Sequence, residues 1–195
     1  MTTIRDIVTD FALALKEVDA TAPREDKKAF RPGIGPLTEA FGTRLALEYM
    51  SNRQADRYVG AKPERYPGQR TTCDAVFGDW AVEFKLLRPF GDNGKPAENW
   101  IENALYPYPG NVSALGDLFK LSTHKLRPRS GVVLYGFEHV TAITPLEPAV
   151  RSFELIAAEV LRFQLGARCS HRIEGLVHPV HQVLVVHGWE LLATE

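Results

Sequence analysis

The sequence predicts one α/β (α+β) domain in which helices flank a set of strands. Gly78-Asp79 separates two runs rich in Val, Phe, Trp and Ala, which is a strong signal for a tight β-hairpin. The apolar run over residues 131–137 is typical of a strand that is buried on both faces. Stretches with helical spacing of apolar residues precede, separate and follow these strands, which places helices and strands in the same folded unit.

The length of 195 residues fits a single domain with a sizeable core. We expect the core over residues 36–138, an N-terminal helix and connection over 1–35, and a C-terminal helix and hairpin over 139–195. The formal charge of −1 excludes a uniformly basic surface, so any contact with nucleic acid must use local basic patches.

The chain carries no membrane or secretion signal that we recognise. No run approaches the ~18 apolar residues of a membrane span, and the first residues lack a basic region followed by an apolar core. Cys73 and Cys169 are far apart, so free thiols in a reducing compartment are expected. We therefore predict a cytoplasmic protein without membrane association.

The elements before the hairpin follow from periodicity and from Pro and Gly. Apolar residues recur at helical spacing over 4–18, whereas residues 22–35 are charged and interrupted by Pro and Gly, which favours a connection. Pro36 is expected to open a second helix that runs to about residue 50. A short strand is expected between residues 53 and 66.

The elements after the hairpin alternate in the same way. Pro89 ends the strand because it cannot donate to a ladder, and the long connection over 90–110 contains a short helix. A helix follows with Asn111 or Ser113 as N-cap. The remaining predicted elements are a strand over 131–137, a helix over 148–164, and a hairpin formed by residues 168–177 and 181–191.

The hairpin register places acids opposite each other. If Gly78-Asp79 is the loop, Asp74 faces Glu83, and like charges at the ~5 Å separation of opposed residues are destabilising unless a cation lies between them. One face of the ribbon then displays Thr72, Asp74, Val76, Ala81, Glu83 and Lys85, and the other carries Cys73, Ala75, Phe77, Trp80, Val82, Phe84 and Leu86. The polar face predicts a site for a divalent cation.

A simpler interpretation uses the same residues. Glu83 and Lys85 are neighbours on one face and could form a partly exposed salt bridge worth at most about 1 kcal/mol. Asp74 would then be a solvated strand residue. The chemistry of the side chains leaves both interpretations open.

The pattern resembles the PD-(D/E)XK nuclease superfamily. Glu83-Phe84-Lys85 matches the second family element in full, and Cys73-Asp74 stands at the first without the family's proline. The resemblance implies a restriction endonuclease-like core, which is a central mixed β-sheet flanked by helices. It also implies that Asp74 and Glu83, with the backbone carbonyl of Phe84, hold Mg²⁺, for which Mn²⁺ can substitute. Lys85 would position or activate the attacking water.

The same resemblance implies an additional acid on the helix before the sheet. Glu39 lies on that predicted helix, and Glu48 is the competing choice. Either could instead be a solvated helical glutamate.

Two basic stretches are candidate phosphate-contacting surfaces. They lie over residues 57–70 and 118–131, and each could also be a solvated loop. Lys120 could contact substrate or pair at the surface with Asp117, three residues before it. The predicted nucleic-acid-binding residues are Arg65, Arg70, Lys120, Lys125, Arg127 and Arg129.

The resulting prediction is a metal-dependent endonuclease that hydrolyses DNA phosphodiester bonds as a homodimer of the type II restriction kind. A repair or structure-specific nuclease is the nearest alternative. A non-catalytic nucleic-acid-binding or assembly protein on the same fold is another, which the intact Asp, Glu and Lys argue against. The C-terminal histidines do not complete a zinc-site spacing that we recognise, so surface or structural histidines are expected there.

Overall fold

The computed structural model describes residues 1–21, 32–107, 112–139 and 144–193. A six-stranded mixed sheet with the order β1-β2-β3-β4-β6-β5 is flanked by helices. The predicted α+β class and the mixed sheet are therefore confirmed. The elements are α1 (Ile4–Asp19), α2 (Glu39–Arg53), α3 (Ala55–Tyr58), β1 (Lys62–Arg65), β2 (Thr72–Phe77), β3 (Trp80–Leu87), α4 (Glu102–Leu105), α5 (Ala114–Thr123), β4 (Arg129–Glu138), α6 (Glu147–Leu155), β5 (Cys169–Ile173) and β6 (Val183–Leu191).

The predicted hairpin forms, and its register next to the turn is as predicted. β2 runs antiparallel to β3, with Phe77 opposite Trp80 and Ala75 opposite Val82, but the predicted pairing of Asp74 with Glu83 is not among the paired positions. Gly78 has φ +48°, and Asp79 is not among the residues with positive φ. A type II′ turn requires a positive φ at the first of its two central residues only. Glycine adopts this conformation without steric cost.

Helices cover the sheet on both faces. α1 and α2 pack on the face that carries Trp80, Val82 and Phe84, while α5 and α6 pack on the face that carries Val132 and Leu134. β3 and β4 are parallel and are joined through α4 and α5. β4 is therefore buried on both sides, as its continuous apolar sequence predicts.

Side-chain caps set the start of two helices. Thr3 and Asp6 form a reciprocal capping box at α1, with Asp6 Oδ2 accepting from the Thr3 N–H at 2.8 Å. Ser113 Oγ accepts from the Gly116 N–H at 3.0 Å and caps α5. The Ser113 prediction is thus confirmed, and the competing Asn111 lies outside the described residues.

Several boundaries differ from the prediction. α2 begins at Glu39 behind Thr38 rather than at Pro36. α6 ends at Leu155 and passes into a π-helical segment, Ile156–Val160, so the helix does not continue to residue 164. The π-helix shifts the apolar stripe by one residue per turn and leaves Leu155 and Val160 exposed. The predicted C-terminal hairpin does form, because β5 pairs antiparallel with β6, and β6 also pairs with β4 and so places the hairpin in the central sheet.

In the part of the chain that the structure describes, no helix combines the length and the apolarity that crossing a membrane requires.

One buried histidine of the sheet should make the stability depend on pH. His187 of β6 is 6% exposed, and one of its ring nitrogens shares a 2.8 Å hydrogen bond with the Ser170 hydroxyl. Burial, followed by the charge of Arg168, lowers the pKa of His187 to about 4. In the unfolded chain the pKa of histidine is about 6.5. Between pH 6.5 and pH 4 the unfolded state therefore binds more protons, and stability falls as the pH is lowered.

We expect His187 alone to cost the fold about 3 kcal/mol below pH 4, since one pKa unit corresponds to about 1.4 kcal/mol. Urea unfolding at pH 7.5 and pH 4.5 should show a smaller pH-dependent loss for His187→Gln than for the unmodified chain. His171→Gln, which changes a half-buried histidine of β5, is the control. Equal losses in all three proteins would contradict this assignment.

Candidate active site

Asp74 and Glu39 lie along the part of the β3 edge that is no longer paired with β2. The paired positions of the two strands end at Ala75 and Val82. Beyond this point Asp74 Oδ2 accepts a hydrogen bond from the Phe84 N–H at 2.8 Å. Glu39 Oε2 accepts from the Leu86 N–H at 2.7 Å. Two carboxylates thus take the place that backbone carbonyls of a neighbouring strand would occupy.

A β-bulge sets the position of Asp74 and corrects one prediction. β1 pairs Lys62 with Val76 but Glu64 with Cys73, so β2 contains one extra residue in this interval. Cys73 consequently packs with Val76 and Ala81, and its predicted place on the opposite face is wrong. The Asp74 N–H donates to Glu83 Oε2 at 3.3 Å, so the two acids are neighbours through a backbone group.

Glu83 and Lys85 share one face of β3, as predicted, but this face is covered rather than displayed. α5 packs over it, and the two residues are only 2% and 8% exposed. The alternative of an exposed Glu83–Lys85 salt bridge is also wrong. Lys85 Nζ instead lies 3.0 Å from Glu39 Oε1 and 3.5 Å from Asp117 Oδ2.

Of the two acids considered on α2, the structure brings Glu39 to β3. Its carboxylate contacts both the Leu86 N–H and the Lys85 ammonium group. Glu48 pairs with Arg44 one turn away on the exposed surface of the helix, at 2.8 Å.

Asp117 of α5 is a site residue that the sequence analysis missed. The predicted surface ion pair with Lys120 is in fact buried, because the Asp117 side chain is 1% exposed. Lys120 Nζ lies 2.5 Å from Asp117 Oδ1 and 3.4 Å from Glu83 Oε1. A usable signal was present, since Asp117 falls between Ala114 and Leu121 on the apolar stripe of the helix.

Glu83 is almost fully buried. Its Oε1 accepts a 2.7 Å hydrogen bond from the hydroxyl of Tyr66, which is itself buried. Burial, reinforced by the charges of Asp117 and Asp74, raises the pKa of Glu83 well above its ordinary value. Burial likewise raises the pKa of Asp74 and of Glu39, although Lys85 and the backbone hydrogen bonds oppose the shift.

We call these side chains the acid–lysine cluster: Glu39, Asp74, Glu83, Asp117, Lys85 and Lys120. Burial favours the neutral form of the two lysines, but the surrounding carboxylates outweigh it and raise the pKa of both. Four ionised carboxylates against two ammonium groups leave a formal charge of −2. Such a charge is unfavourable in a buried site unless protons or a cation balance it.

The cluster fits a hard divalent cation in charge and in donor type. Carboxylate and carbonyl oxygens are the ligands that Mg²⁺ prefers. Among the described residues, neither carboxylate oxygen of Asp117 has a partner in hydrogen-bond geometry, although both are buried. The Phe84 carbonyl should face the same edge as the Phe84 N–H, which Asp74 accepts. Asp74, Glu83 and Phe84 are therefore the residues that would hold the ion, with Glu39 and Asp117 beside them.

A second group could be considered for a metal. Within the described ranges, Asp92, His178 and His181 bring one possible ligand atom each within 4.8 Å of one another. His181 Nε2 lies 3.1 Å from Asp92 Oδ1, and the two imidazole rings stack with centroids 4.6 Å apart. Both histidines are buried, so of the two expectations, surface or structural histidines, the surface location does not apply to this pair.

The hydrogen bonds of His178 argue for a structural role. Its Nδ1 accepts from the N–H groups of Val180 and His181, each at 3.1 Å. The proton of neutral His178 is therefore on Nε2. A metal at Nε2 would have to displace that proton while Nδ1 still faces two N–H donors, so this ring stabilises the turn before β6 better than it binds a metal.

The six predicted nucleic-acid-binding residues fall into three environments. Arg65, Arg70 and Lys125 are exposed, whereas Lys120 belongs to the cluster. Arg127 forms a two-point pair with Glu64, with contacts of 2.8 and 3.1 Å.

Arg129 makes several contacts within the chain. Its guanidinium makes two hydrogen bonds to Glu190, at 2.8 and 2.7 Å, and a third to the Thr2 carbonyl. It also lies 4.2 Å above the Trp80 ring. These contacts stabilise the junction of β4, β6 and the N-terminus, so phosphate contact by Arg129 would require some of them to break.

No protein-family model matches this chain, and comparisons with curated proteins and with solved structures find no match. Function must therefore be inferred from the geometry of the cluster itself.

Proposed function

We propose that the protein is a Mg²⁺-dependent endonuclease that hydrolyses phosphodiester bonds in DNA. The observation that carries this proposal is the acid–lysine cluster at the β3 edge, where Asp74, Glu83 and Lys85 meet Glu39 and Asp117. An excess of two negative charges among oxygen ligands suits a divalent cation, and a lysine held beside it suits an anionic phosphate. The helix–strands–helix–strand order expected of a restriction endonuclease-like core supports the same proposal.

Each residue has a distinct task in this mechanism. Asp74 and Glu83 supply carboxylate oxygens, and the main chain at Phe84 supplies a carbonyl. Lys85 is held by Glu39 and Asp117, so its ammonium group is fixed in place and can orient a water molecule or offset charge that develops on the phosphate. When bound, a divalent ion polarises a phosphoryl oxygen and lowers the pKa of a coordinated water.

The lysines favour the ionised form of the acids. Burial nevertheless leaves the pKa values of Asp74 and Glu83 raised, which favours protonation and would remove their capacity as ligands. Lys120, 3.4 Å from Glu83, opposes that protonation. Lys120 thus acts as a positioning residue through Glu83, whereas the sequence analysis considered a substrate contact and a surface pair with Asp117.

Binding of Mg²⁺ should stabilise the folded chain before any DNA is added. At a tenfold excess over its dissociation constant, a ligand specific for the folded state adds about 1.4 kcal/mol. The melting temperature should therefore rise by about 3–6 °C for a chain of this size. Thermal unfolding with Mg²⁺, with Mn²⁺ and with EDTA measures the effect, and Asp74→Asn is the variant expected to lose it.

The activity itself is tested on supercoiled plasmid with either metal. A homodimer that cuts both strands, as the sequence predicts, should yield linear DNA directly, because two active sites act on one bound duplex. A single-site nuclease should first accumulate nicked circles. Absence of cutting of both plasmid and single-stranded DNA with either metal, together with an unchanged melting temperature, would overturn the proposal in favour of a non-catalytic DNA-binding protein.

A further inference from the structure

A cavity of about 580 Å³ opens beside the cluster. Residues of α2, residues at the start of β1 and Asp74 line it. β1 is an edge strand that is hydrogen-bonded only to β2 in the described sheet. The cavity and the proposed reaction centre therefore share one side chain.

The lining combines apolar and polar side chains. The apolar groups are Ala40 and Leu47 of α2 and Ala61 and Pro63 at the start of β1. The polar groups include the exposed residues Arg44, Glu48, Asn52 and Lys62, which we call the rim, and the less exposed Thr43 and Ser51. An amphipathic ring with polar edges, such as a nucleobase, matches this combination, because apolar groups accept its faces and polar groups can bind its edge.

The position of Asp74 restricts the ligand further. In the proposed mechanism the scissile phosphate lies at Asp74 and Lys85, so the cavity is within reach of the nucleoside attached to that phosphate. A base that is stacked and paired in a duplex must first be unpaired and unstacked before it can enter a side cavity. A base that is already unpaired enters at little cost in free energy.

We propose that this cavity receives the unstacked base of the nucleotide next to the cleaved bond, and that the preferred substrate is single-stranded or mismatched DNA. The inference rests on the proposed function and specifies its substrate. Because unpairing a base costs a few kcal/mol, the enzyme should cut an unpaired site at least about tenfold faster than the same site in a perfect duplex.

Cleavage of three oligonucleotides tests the preference: a single strand, a duplex with one mismatch, and the fully paired duplex. An abasic nucleotide placed at successive positions should lower the cutting rate at least about tenfold at the position next to the cleaved bond and little elsewhere. Equal rates on paired and unpaired sites would overturn the cavity assignment while leaving the endonuclease proposal intact.

A binding readout separates this inference from the activity. Single-stranded oligonucleotides with 2-aminopurine at one position at a time should show a fluorescence change at a single position when mixed with the protein in EDTA. Asn52→Trp, which fills the rim, should abolish that change, and Ala61→Leu should reduce it if the first variant folds poorly. Arg53→Trp alters the neighbouring exposed position of the same helix, outside the cavity lining, and is the matched control.

The outcomes are distinguishable. A positional signal that is lost in Asn52→Trp but kept in Arg53→Trp supports the cavity even if no metal supports cutting. The same signal in both variants, or a signal at every position, would overturn it.

Discussion

Asp74→Asn is expected to lower the rate of Mg²⁺-dependent plasmid cutting by about 10²–10³-fold. The change removes one negative charge from the metal ligands, and several kcal/mol of transition-state stabilisation are at stake in such a site. The amide oxygen of asparagine can still accept the Phe84 N–H, which Asp74 accepts at 2.8 Å, so the β3 edge should keep its hydrogen bond. Initial rates over a range of Mg²⁺ concentrations measure the effect and separate weaker metal binding from slower chemistry.

Glu159→Gln is the matched control for this experiment. It removes a charge from an exposed acid outside the cluster and the cavity lining, which pairs only with Arg162 among the described ion pairs. We expect its rate to stay within about twofold of the unmodified chain, since an exposed pair contributes little. Cutting by Asp74→Asn at the unmodified rate, with an unchanged Mg²⁺ dependence, would show that this carboxylate is not a ligand.

Lys85→Met is expected to destabilise the fold by about 3 kcal/mol as well as to abolish cutting. Methionine keeps the length of the side chain but removes the charge that faces Glu39 and Asp117. Breaking a buried ion pair by removing one partner costs about 3–5 kcal/mol, because the remaining charge is left uncompensated. Protonation of the raised-pKa acids should recover part of the loss below neutral pH.

A double-mutant cycle tests the origin of that loss. If the uncompensated carboxylate is responsible, Lys85→Met combined with Asp117→Asn should lose at least about 1 kcal/mol less than the sum of the two single changes. Urea unfolding in EDTA supplies the free energies. Arg44→Met breaks an exposed pair and should cost less than about 1 kcal/mol. Strict additivity in the double variant would contradict the proposed contact.

Local signals in the sequence predicted the hairpin and the buried central strand correctly. A Gly-Asp turn determines its own register, because only the residues beside the loop are needed to align Phe77 with Trp80. β4 was predictable from its own sequence as well. Its seven consecutive apolar or glycine residues are typical of a strand that is covered on both faces.

The parts of the site that depend on non-local packing were not predictable in the same way. The bulge at Cys73 and Asp74 arises from pairing with β1, which no pattern within β2 reveals. The burial of Glu83 and Lys85 depends on α5, which lies some thirty residues later in the chain. The inward position of Asp117 was visible as a helical periodicity, but an Asp–Lys pair three residues apart suggested a surface location more strongly.

The carboxylates of Asp74 and Glu39 accept hydrogen bonds from the edge of β3, so their conservation need not indicate catalysis. Asp74 and Glu39 hold the N–H groups of Phe84 and Leu86, so losing either would orphan a main-chain donor at a cost of about 1–3 kcal/mol. Under the proposed function, a descendant that had lost DNA cleavage would still be selected to keep both carboxylates for folding. Lys85 could be replaced by an aliphatic residue once the charges of its partners Glu39 and Asp117 were removed by protonation or substitution. Among proteins descended from a common ancestor, retention of Lys85 should therefore indicate activity better than retention of Asp74 or Glu39.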